Sequence, residues 1–244
     1  MAAPRSELGS LRLFLTDAHP CSYLAGHTAR NLVADPLAFC DTLYSALMLH
    51  GFRRSGEHAY RPHCQGCHAC QSLRIPVRQF QPNRSQRRTQ ARNLDLQVSL
   101  VEPVLREEHF QLFARYLALR HPDGGMDDAT PDSYLGFIRS SWSRTFLAEF
   151  RDADGRLLAV AVVDVLGDGL SAVYTYYDPA AEARAPGTAA ILWQIEEARR
   201  RGLAYVYLGY WIAGCRKMNY KTRFRPCEVF INGDWRSPPE TPVR

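Results

Sequence analysis

The chain has 244 residues, of which 46% are hydrophobic and 23% charged, and this composition is typical of a globular protein with a substantial core. It contains no uninterrupted apolar run of the roughly 18 residues that a membrane-spanning helix requires. The first ten residues lack the apolar segment of a secretory signal, so we expect a cytoplasmic protein with no membrane partner. The chain has seven cysteines, and an uneven count in a cytoplasmic protein argues against a disulfide framework.

Positive charge is concentrated in one region of the chain. The net charge is +5, but residues 52–92 contain nine arginines and one glutamate, a local charge of +8, so the remainder carries −3. Such asymmetry favours a polyanion, and nucleic acid first, as the partner of this region. The alternative is a surface that is basic only for solubility.

The first third of the chain predicts a small α/β portion. Strands are indicated at residues 11–15, 28–34 and 73–80 by apolar alternation. Asp35 and Pro36 have the types of a helix cap and a first helical residue, so a helix is expected from there to about His50. Residues 82–93 predict a short helix that carries Arg84, Arg87, Arg88 and Arg92.

The remainder of the chain predicts a regular α+β order. Strands are expected at residues 94–101, 144–150, 157–166, 170–177 and 203–208, helices at 106–119, 133–142, 187–201 and 212–221, a loop at 121–127, and a hairpin at 227–235. This is the order of the acetyltransferase-like (GNAT-type) fold, a mixed sheet flanked by helices. We therefore expect a GNAT-like acyltransferase domain over residues 94–244, with a smaller Cys- and Arg-rich region, residues 1–93, packed on it.

Four cysteines have residue types that bind metals. Cys64, Cys67 and Cys70 follow one another at three-residue spacing, and Cys21 lies upstream. Zinc or an iron–sulfur cluster would use such thiolates. The competing interpretation is a turn with small buried thiols, because free cysteine is a common core residue.

The segment 209–226 interleaves aromatic residues with five cations and no acid. It contains both lysines of the chain, Lys217 and Lys221, and on the predicted helix their spacing of four places them on one face. The alternative is an ordinary solvated face.

The predicted helix at 187–201 begins with a possible anion site. Arg184, Gly187 and Thr188 match the pattern of the turn that holds coenzyme A in the acetyltransferase fold, and backbone N–H groups at a helix start suit any phosphate. A phosphate at the 3′ end of a tRNA would fit the same geometry. Tyr176 and Asp178 close the preceding strand and predict either an active-site wall or a simple turn.

Taken together, the motifs resemble those of a known family. They lie at residues 19–24, 60–70, 73–77, 84–88, 120–127, 176–179, 191–196, 207–212 and 217–226. In this order they are similar to the arginyl-tRNA–protein transferases, most closely to the bacterial branch that transfers leucine. Ala25 and the pair Ala185-Pro186 depart from the usual family pattern.

The resemblance implies a reaction. Leucine is transferred from leucyl-tRNA to the α-amino group of proteins that begin with Asp or Glu, which marks them for N-end-rule degradation. The aminoacyl ester is already activated, so the co-substrate is the aminoacyl-tRNA and no further cofactor is required. Three alternatives stay open, namely arginine as the transferred residue, a coenzyme A-dependent N-acetyltransferase, and a non-catalytic RNA-binding protein.

The reaction assigns roles to the candidate residues. The amine needs one proton acceptor, for which Asp178 is the first candidate and Asp127 the second. The oxyanion needs donors, and Tyr176 or Tyr220 would serve, as would the N–H groups near Gly187.

The two substrates need cations. The acceptor's side-chain carboxylate calls for one or more of Arg30, Arg74, Arg78, Lys217 and Lys221. The tRNA calls for phosphate contacts from Arg84, Arg87, Arg88 and Arg92, with Arg184, Gly187 and Thr188 at the 3′ end.

Overall fold

The computed structural model describes residues 11–35, 40–120 and 129–239. These residues form sheets of eight, four and two strands, with helices packed against the largest sheet. The predicted α+β class is confirmed. Within the described ranges, no helix combines the length and the apolar character needed to cross a membrane.

The N-terminal region forms the smaller sheets. Its elements are β1 (Leu13–Leu15), β2 (His19–Pro20), β3 (Thr28–Ala29), β4 (Asn31–Ala34), α1 (Asp41–Leu49), β5 (Arg53–Ser55), β6 (His58–Pro62), β7 (Gln71–Pro76) and α2 (Arg84–Arg92). The four-stranded sheet has the order β1-β4-β6-β5, and β2 pairs with β3. Helix α1 packs Leu43 and Leu47 towards the four-stranded sheet.

The start of α1 differs from the prediction. Cys40 is its N-cap residue, so the prediction that Asp35 caps this helix was wrong. Asp35 is buried and pairs instead with Arg12, with 2.8 Å between Nη2 and Oδ2. Pro36, predicted as the first helical residue, lies outside the described residues.

The eight-stranded sheet organises the rest of the chain. Its further elements are β8 (Gln97–Val101), α3 (Glu107–Arg120), α4 (Pro131–Ile138), β9 (Arg144–Arg151), β10 (Leu157–Val165), β11 (Gly169–Tyr177), α5 (Pro186–Arg200), β12 (Tyr205–Trp211), β13 (Glu228–Ile231) and β14 (Asp234–Arg236). The strand order is β14-β13-β7-β12-β11-β10-β9-β8. Strand β10 is almost continuously apolar because helices cover both faces of the sheet.

Strand β7 joins the N-terminal region to the large sheet. It pairs antiparallel with β12 on one side and with β13 on the other. The predicted domain division between residues 93 and 94 stays a prediction. Strand β7 precedes that division, yet it is part of the sheet that the residues after the division form. The predicted loop at 121–127 lies outside the described residues.

Strands β11 and β12 diverge along their length. They are parallel, and their pairing covers Gly169↔Tyr205, Leu170↔Val206 and Ser171↔Tyr207 only. Beyond Ser171, β11 continues to Tyr177 and β12 to Trp211 without pairing to each other. A cleft therefore opens between their C-terminal ends, the end at which open sheets with parallel strands bind ligands. We call it the β11–β12 cleft.

The segment after β12 is not the predicted helix. Residues 212–220 form turns, and only Lys221–Arg223 make a short 3₁₀ turn. Gly214 has φ +80, a left-handed conformation that ends helical propagation. The prediction that Lys217 and Lys221 share a helix face was wrong, since Lys217 is exposed and Lys221 is buried.

Candidate active site in the β11–β12 cleft

An arginine from the N-terminal region lies where β11 and β12 separate. Arg53 on β5 is 7% exposed, and its Nη2 donates a hydrogen bond of 3.1 Å to the carbonyl oxygen of Ala172, the first residue of β11 beyond the paired part. On the other side its guanidinium lies against Gly209 of β12. A Cβ at Gly209 would come within 2.8–3.0 Å of the guanidinium atoms, and its φ of +82 also favours glycine. Arg53 thus fills the base of the cleft.

Lys221 supplies a second buried cation. It is 9% exposed, and its Nζ donates a hydrogen bond of 2.6 Å to the carbonyl oxygen of Tyr210 on β12. Burial, and then the positive charge of Arg53, lowers the pKa of Lys221 to about 7.

Tyrosines surround these two cations. Burial raises the pKa of Tyr60, Tyr210 and Tyr220, and the charge of Arg53 offsets part of that rise. The Tyr60 and Tyr210 rings meet edge-on, 5.9 Å apart. Tyr220 remains 42% exposed, with its ring centroid 6.0 Å from Lys221 Nζ. The cleft is therefore aromatic and cationic, as an anionic or nucleotide-bearing substrate would need.

The predicted catalytic residues occupy different places. Asp178 is buried at the end of β11, where Oδ1 accepts a hydrogen bond of 2.9 Å from the Ala180 N–H and Oδ2 pairs with Arg156. Tyr176 is fully buried against α4, and its hydroxyl lies 2.6 Å from that of Tyr134. Asp127 lies outside the described residues. Tyr220 is the one of the four that the described structure places beside Arg53 and Lys221.

The predicted acceptor-binding cations are dispersed. Arg74 is buried and pairs with Glu228 at 2.7 Å, with its guanidinium 3.7 Å from the ring centroid of Tyr205. Arg30, Arg78 and Lys217 are exposed. The fold thus brings only Lys221 of this group into the cleft.

The start of α5 leaves backbone donors uncovered by side chains. Its N-cap residue, Ala185, has a left-handed φ of 53 and makes no side-chain capping bond, and Pro186 has no N–H. The first intrahelical bond runs from Ala189, so the N–H groups of Gly187 and Thr188 precede it. A Cβ at Gly187 would be 3.6 Å from the Tyr177 ring, which ties this helix start to the end of β11. Such an N-terminus can bind an anion.

Helix α2 presents arginines beside that helix start. Arg84, Arg87, Arg88 and Arg92 are all exposed. Arg92 bonds the carbonyl oxygen of Ala183, and Arg184 pairs with Asp95 and donates to Asn93 Oδ1 at 3.1 Å. At the start of α2 the Asn83 side chain accepts a hydrogen bond from the Gln86 N–H, and the Gln86 side chain accepts one from the Asn83 N–H. The predicted α2 is confirmed, and it joins the start of α5 in one basic surface.

The four predicted metal-binding cysteines come close together. Burial, followed by the neighbouring thiols of Cys21, Cys64 and Cys67, raises the pKa of Cys70 to about 12. A pocket of about 330 Å³ is lined by Cys21, Cys64, Cys70, Tyr23, Tyr60 and Tyr210. Across the described ranges, no three His, Cys, Asp or Glu residues are arranged to hold a metal ion. The metal site stays a prediction.

Comparison with known proteins decides the family. Residues 19–88 match the family described as "Arginine-tRNA-protein transferase, N terminus". Residues 108–231 match the family described as "Arginine-tRNA-protein transferase, C terminus". The chain belongs to this family. It is therefore a transferase, and the predicted relationship is confirmed.

The relatives extend the match to nearly the whole chain. A protein of Nitrosococcus oceani named aspartate/glutamate leucyltransferase is 56% identical over 223 residues, which cover 91% of this chain and 94% of the relative. A protein of the same name from Pseudomonas fluorescens is 52% identical over 231 residues, which cover 94% of this chain and 98% of the relative. Among solved structures, FemX superposes with a TM-score of 0.53 at 8% identity, over 90% of this chain and 86% of FemX, which shows a shared fold.

Sequence reasoning missed Arg53 as a cleft residue. It sits between Phe52 and Arg54 in a run with no distinctive motif. Its contacts, Ala172 and Gly209, are more than 110 residues away in the chain. The one local signal was Gly209, which lies within the apolar strand β12 and leaves room for a close neighbour.

Proposed function

We propose that this protein transfers leucine from leucyl-tRNA to the α-amino group of proteins whose first residue is Asp or Glu. The observation that carries the proposal is the 56% identity to an aspartate/glutamate leucyltransferase over 91% of the chain. The buried cations of the cleft support it, because an acidic acceptor needs a positive counter-charge. In a cytoplasmic setting the leucine would mark its acceptor for N-end-rule degradation.

The reaction is an acyl transfer with a simple balance of bonds. The neutral α-amine attacks the ester carbonyl carbon, a C–N bond forms, and the C–O bond to the terminal ribose breaks. One proton leaves the nitrogen, and the ribose oxygen takes one up. An α-amine has a pKa near 8, so a useful fraction is neutral at physiological pH and a single weak base suffices.

Asp178 remains our first candidate for that base, with Asp127 second. Asp178 ends β11 beside the turn that leads into α5. Its Oδ2 is held by Arg156, whose side chain is 61% exposed. We propose that Arg156 moves aside as Asp178 accepts the proton.

For the oxyanion we propose the N–H groups of Gly187 and Thr188, together with the Tyr220 hydroxyl. Tyr220 is favoured over Tyr176, because the Tyr176 hydroxyl is buried against Tyr134. These donors would stabilise charge that develops in the transition state. Arg184 would hold the phosphates of the tRNA 3′ end beside them.

A transfer assay tests the proposed function. Purified protein is mixed with radiolabelled leucyl-tRNA and peptides that begin with Asp, Glu, Asn or Ala. We expect label in the Asp and Glu peptides and little in the others, because the acceptor carboxylate supplies the binding energy. Labelling from arginyl-tRNA instead would correct the donor, and labelling from acetyl-coenzyme A would replace the reaction class.

A second experiment tests the tRNA surface on α2. The double substitution Arg87→Glu and Arg88→Glu should weaken tRNA binding by about 100-fold or more at low salt, because each lost phosphate contact removes counterion release. The slope of log K against log salt should become shallower by about two to four. Fluorescence anisotropy with labelled tRNA over a salt series measures both.

The matched control is Arg115→Glu with Arg139→Glu, two exposed arginines on α3 and at the end of α4. These changes alter the net charge equally. A loss of affinity as large in this control as in the α2 variant would mean that total charge, and not α2, governs binding.

A further inference from the structure

The two cations of the cleft share an unusual environment. Arg53 and Lys221 are both more than nine-tenths buried. In the part of the chain that the structure describes, neither forms an ion pair with an Asp or Glu side chain. Arg53 Nη2 donates its hydrogen bond to Ala172, and Nη1 is buried with no hydrogen-bond partner among the described residues.

Such an arrangement is costly for a folded chain that binds nothing there. Buried charges are usually paired, and a buried donor without an acceptor loses its solvation without compensation. The two cations also repel each other, and the Arg53 charge contributes to the lowered pKa of Lys221. An anionic ligand would remove each of these costs.

We infer that Arg53, with Lys221 beside it, is the counter-charge for the side-chain carboxylate of the acceptor's first residue. This rests on the proposed function and names the part of the cleft that reads the acceptor. A guanidinium can bind both oxygens of one carboxylate, whereas an amide offers one acceptor oxygen and would turn N–H groups towards a cation. The site would therefore accept Asp and Glu and reject Asn and Gln.

The position of the pair suits an acceptor better than a tRNA phosphate. The exposed arginines of α2 and the start of α5 already provide a phosphate surface. Arg53 and Lys221 instead lie inside the cleft, among Tyr60, Tyr210 and Tyr220. A side-chain carboxylate on a free chain terminus can enter such a space.

Entry requires a side chain to move, because Arg53 Nη1 is covered. Of Tyr60, Tyr210 and Tyr220, Tyr220 is the most exposed, at 42%. It follows a turn segment and is not part of a strand. Tyr220 would therefore swing to admit the carboxylate and would close over it afterwards.

The test compares acceptor selectivity in variants. With leucyl-tRNA held at saturation, kcat/KM is measured for two peptides that differ only in an N-terminal Asp or Asn. In Arg53→Gln we expect the Asp-to-Asn ratio to fall by about 10- to 100-fold, the range for hydrogen bonds to charged groups. Arg53→Lys should retain more of the ratio, because it keeps the charge and loses the fork.

Each result separates the inference from simpler explanations. If Arg53 only holds β11 and β12 apart, both peptides lose rate equally and the ratio stays at the wild-type value, which overturns the inference. A raised KM for leucyl-tRNA with an unchanged ratio would assign Arg53 to the phosphates and overturn it as well. The control Arg61→Gln removes a neighbouring guanidinium that already bonds the carbonyl oxygen of His50, and its ratio should not change.

A second variant covers the case in which Arg53→Gln does not fold. Lys221→Met removes the other cation and should also lower the ratio, and a wild-type ratio in this variant would count against the pair. If the wild-type chain transfers leucine to neither peptide, the proposed function itself fails. A wild-type preference for Asp that survives in both variants overturns the present inference alone.

Discussion

Replacing Asp164 by Ala is expected to lower the free energy of unfolding by about 3–5 kcal/mol, because it leaves the buried guanidinium of Arg54 without a counter-charge. The two side chains are 0% exposed. Arg54 Nε lies 2.7 Å from Asp164 Oδ2, and Nη2 lies 2.9 Å from Oδ1, so the pair is bidentate. Burial alone would lower the pKa of Arg54, and the charge and hydrogen bonds of Asp164 more than offset this.

Asp164 also joins elements that are distant in the chain. Its Oδ2 accepts a hydrogen bond of 2.9 Å from the Tyr44 hydroxyl on α1, and its Oδ1 accepts one of 2.7 Å from Thr145 on β9. Arg54 itself belongs to β5. One carboxylate on β10 therefore connects the N-terminal region to the centre of the large sheet, and its loss should separate the two regions.

Denaturant unfolding of the wild-type protein and three variants checks this expectation. The double variant Arg54→Met with Asp164→Ala removes both charges and should be more stable than Asp164→Ala alone, because no unpaired ion remains. Asp234→Ala removes a surface pair with Arg236 and should cost only about 0–1 kcal/mol. A cost for Asp164→Ala no larger than that of Asp234→Ala would contradict the assignment.

Loss of Asp164 should also lower transfer activity. Arg54 is next to Arg53 on β5, and Arg53 lies at the base of the cleft. If β5 loses its anchor to β10, the position of Arg53 between β11 and β12 is no longer fixed. Activity should therefore fall at denaturant concentrations at which the large sheet is still folded.

Much of the fold could be predicted because its signals are local. The apolar run of β10, the alternation in β9 and β11, the periodicity of α5 and the Asn232-Gly233 hairpin turn each indicate one structure within a few residues. Reliance on local signals also explains why the prediction of a helix over residues 212–221 was wrong. Its residue types and the spacing of two lysines suggested a helix, whereas Gly214 adopts a left-handed conformation and the chain follows the cleft in turns.

The candidate site depended on contacts that no local pattern contains. Arg53 and Arg54 are identical neighbours, and their side chains leave β5 in opposite directions. Arg54 meets Asp164, 110 residues later, whereas Arg53 meets Ala172 and Gly209 and pairs with no carboxylate of the described residues. The motifs therefore indicated the family and the basic α2 surface. The three-dimensional structure was needed to show which buried arginine has no carboxylate partner among the described residues.

Lys221→Met is expected to remove a pH dependence of stability between pH 7 and 9. The folded pKa of Lys221 is about 7 against an ordinary 10.5. Between these values the unfolded chain holds a proton at this side chain that the folded chain lacks, so stability rises with pH across the window. Below pH 7 both states are protonated and the contribution is constant.

The measurement is the difference in unfolding free energy between wild type and variant. Between pH 7 and 9 wild type should gain about 2 kcal/mol relative to Lys221→Met, following 1.36 kcal/mol per pKa unit. Cys70, whose pKa is raised to about 12, lowers stability only above about pH 9, outside this window, and does so in both proteins. Exposed Lys217→Met is the control and should show no such gain.

The same titration reports on the cleft itself. Among the described residues, the charged or titratable groups beside Lys221 include Arg53, Cys215, Tyr210 and Tyr220, and none of these is an Asp or Glu. A carboxylate bound at Arg53 would favour the ammonium form and move the pKa of Lys221 back upward. A saturating peptide that begins with Asp should therefore flatten the wild-type pH dependence between 7 and 9, and the Asn peptide should leave it as it is. A flat profile without any peptide would show that Lys221 keeps its ordinary pKa despite its burial.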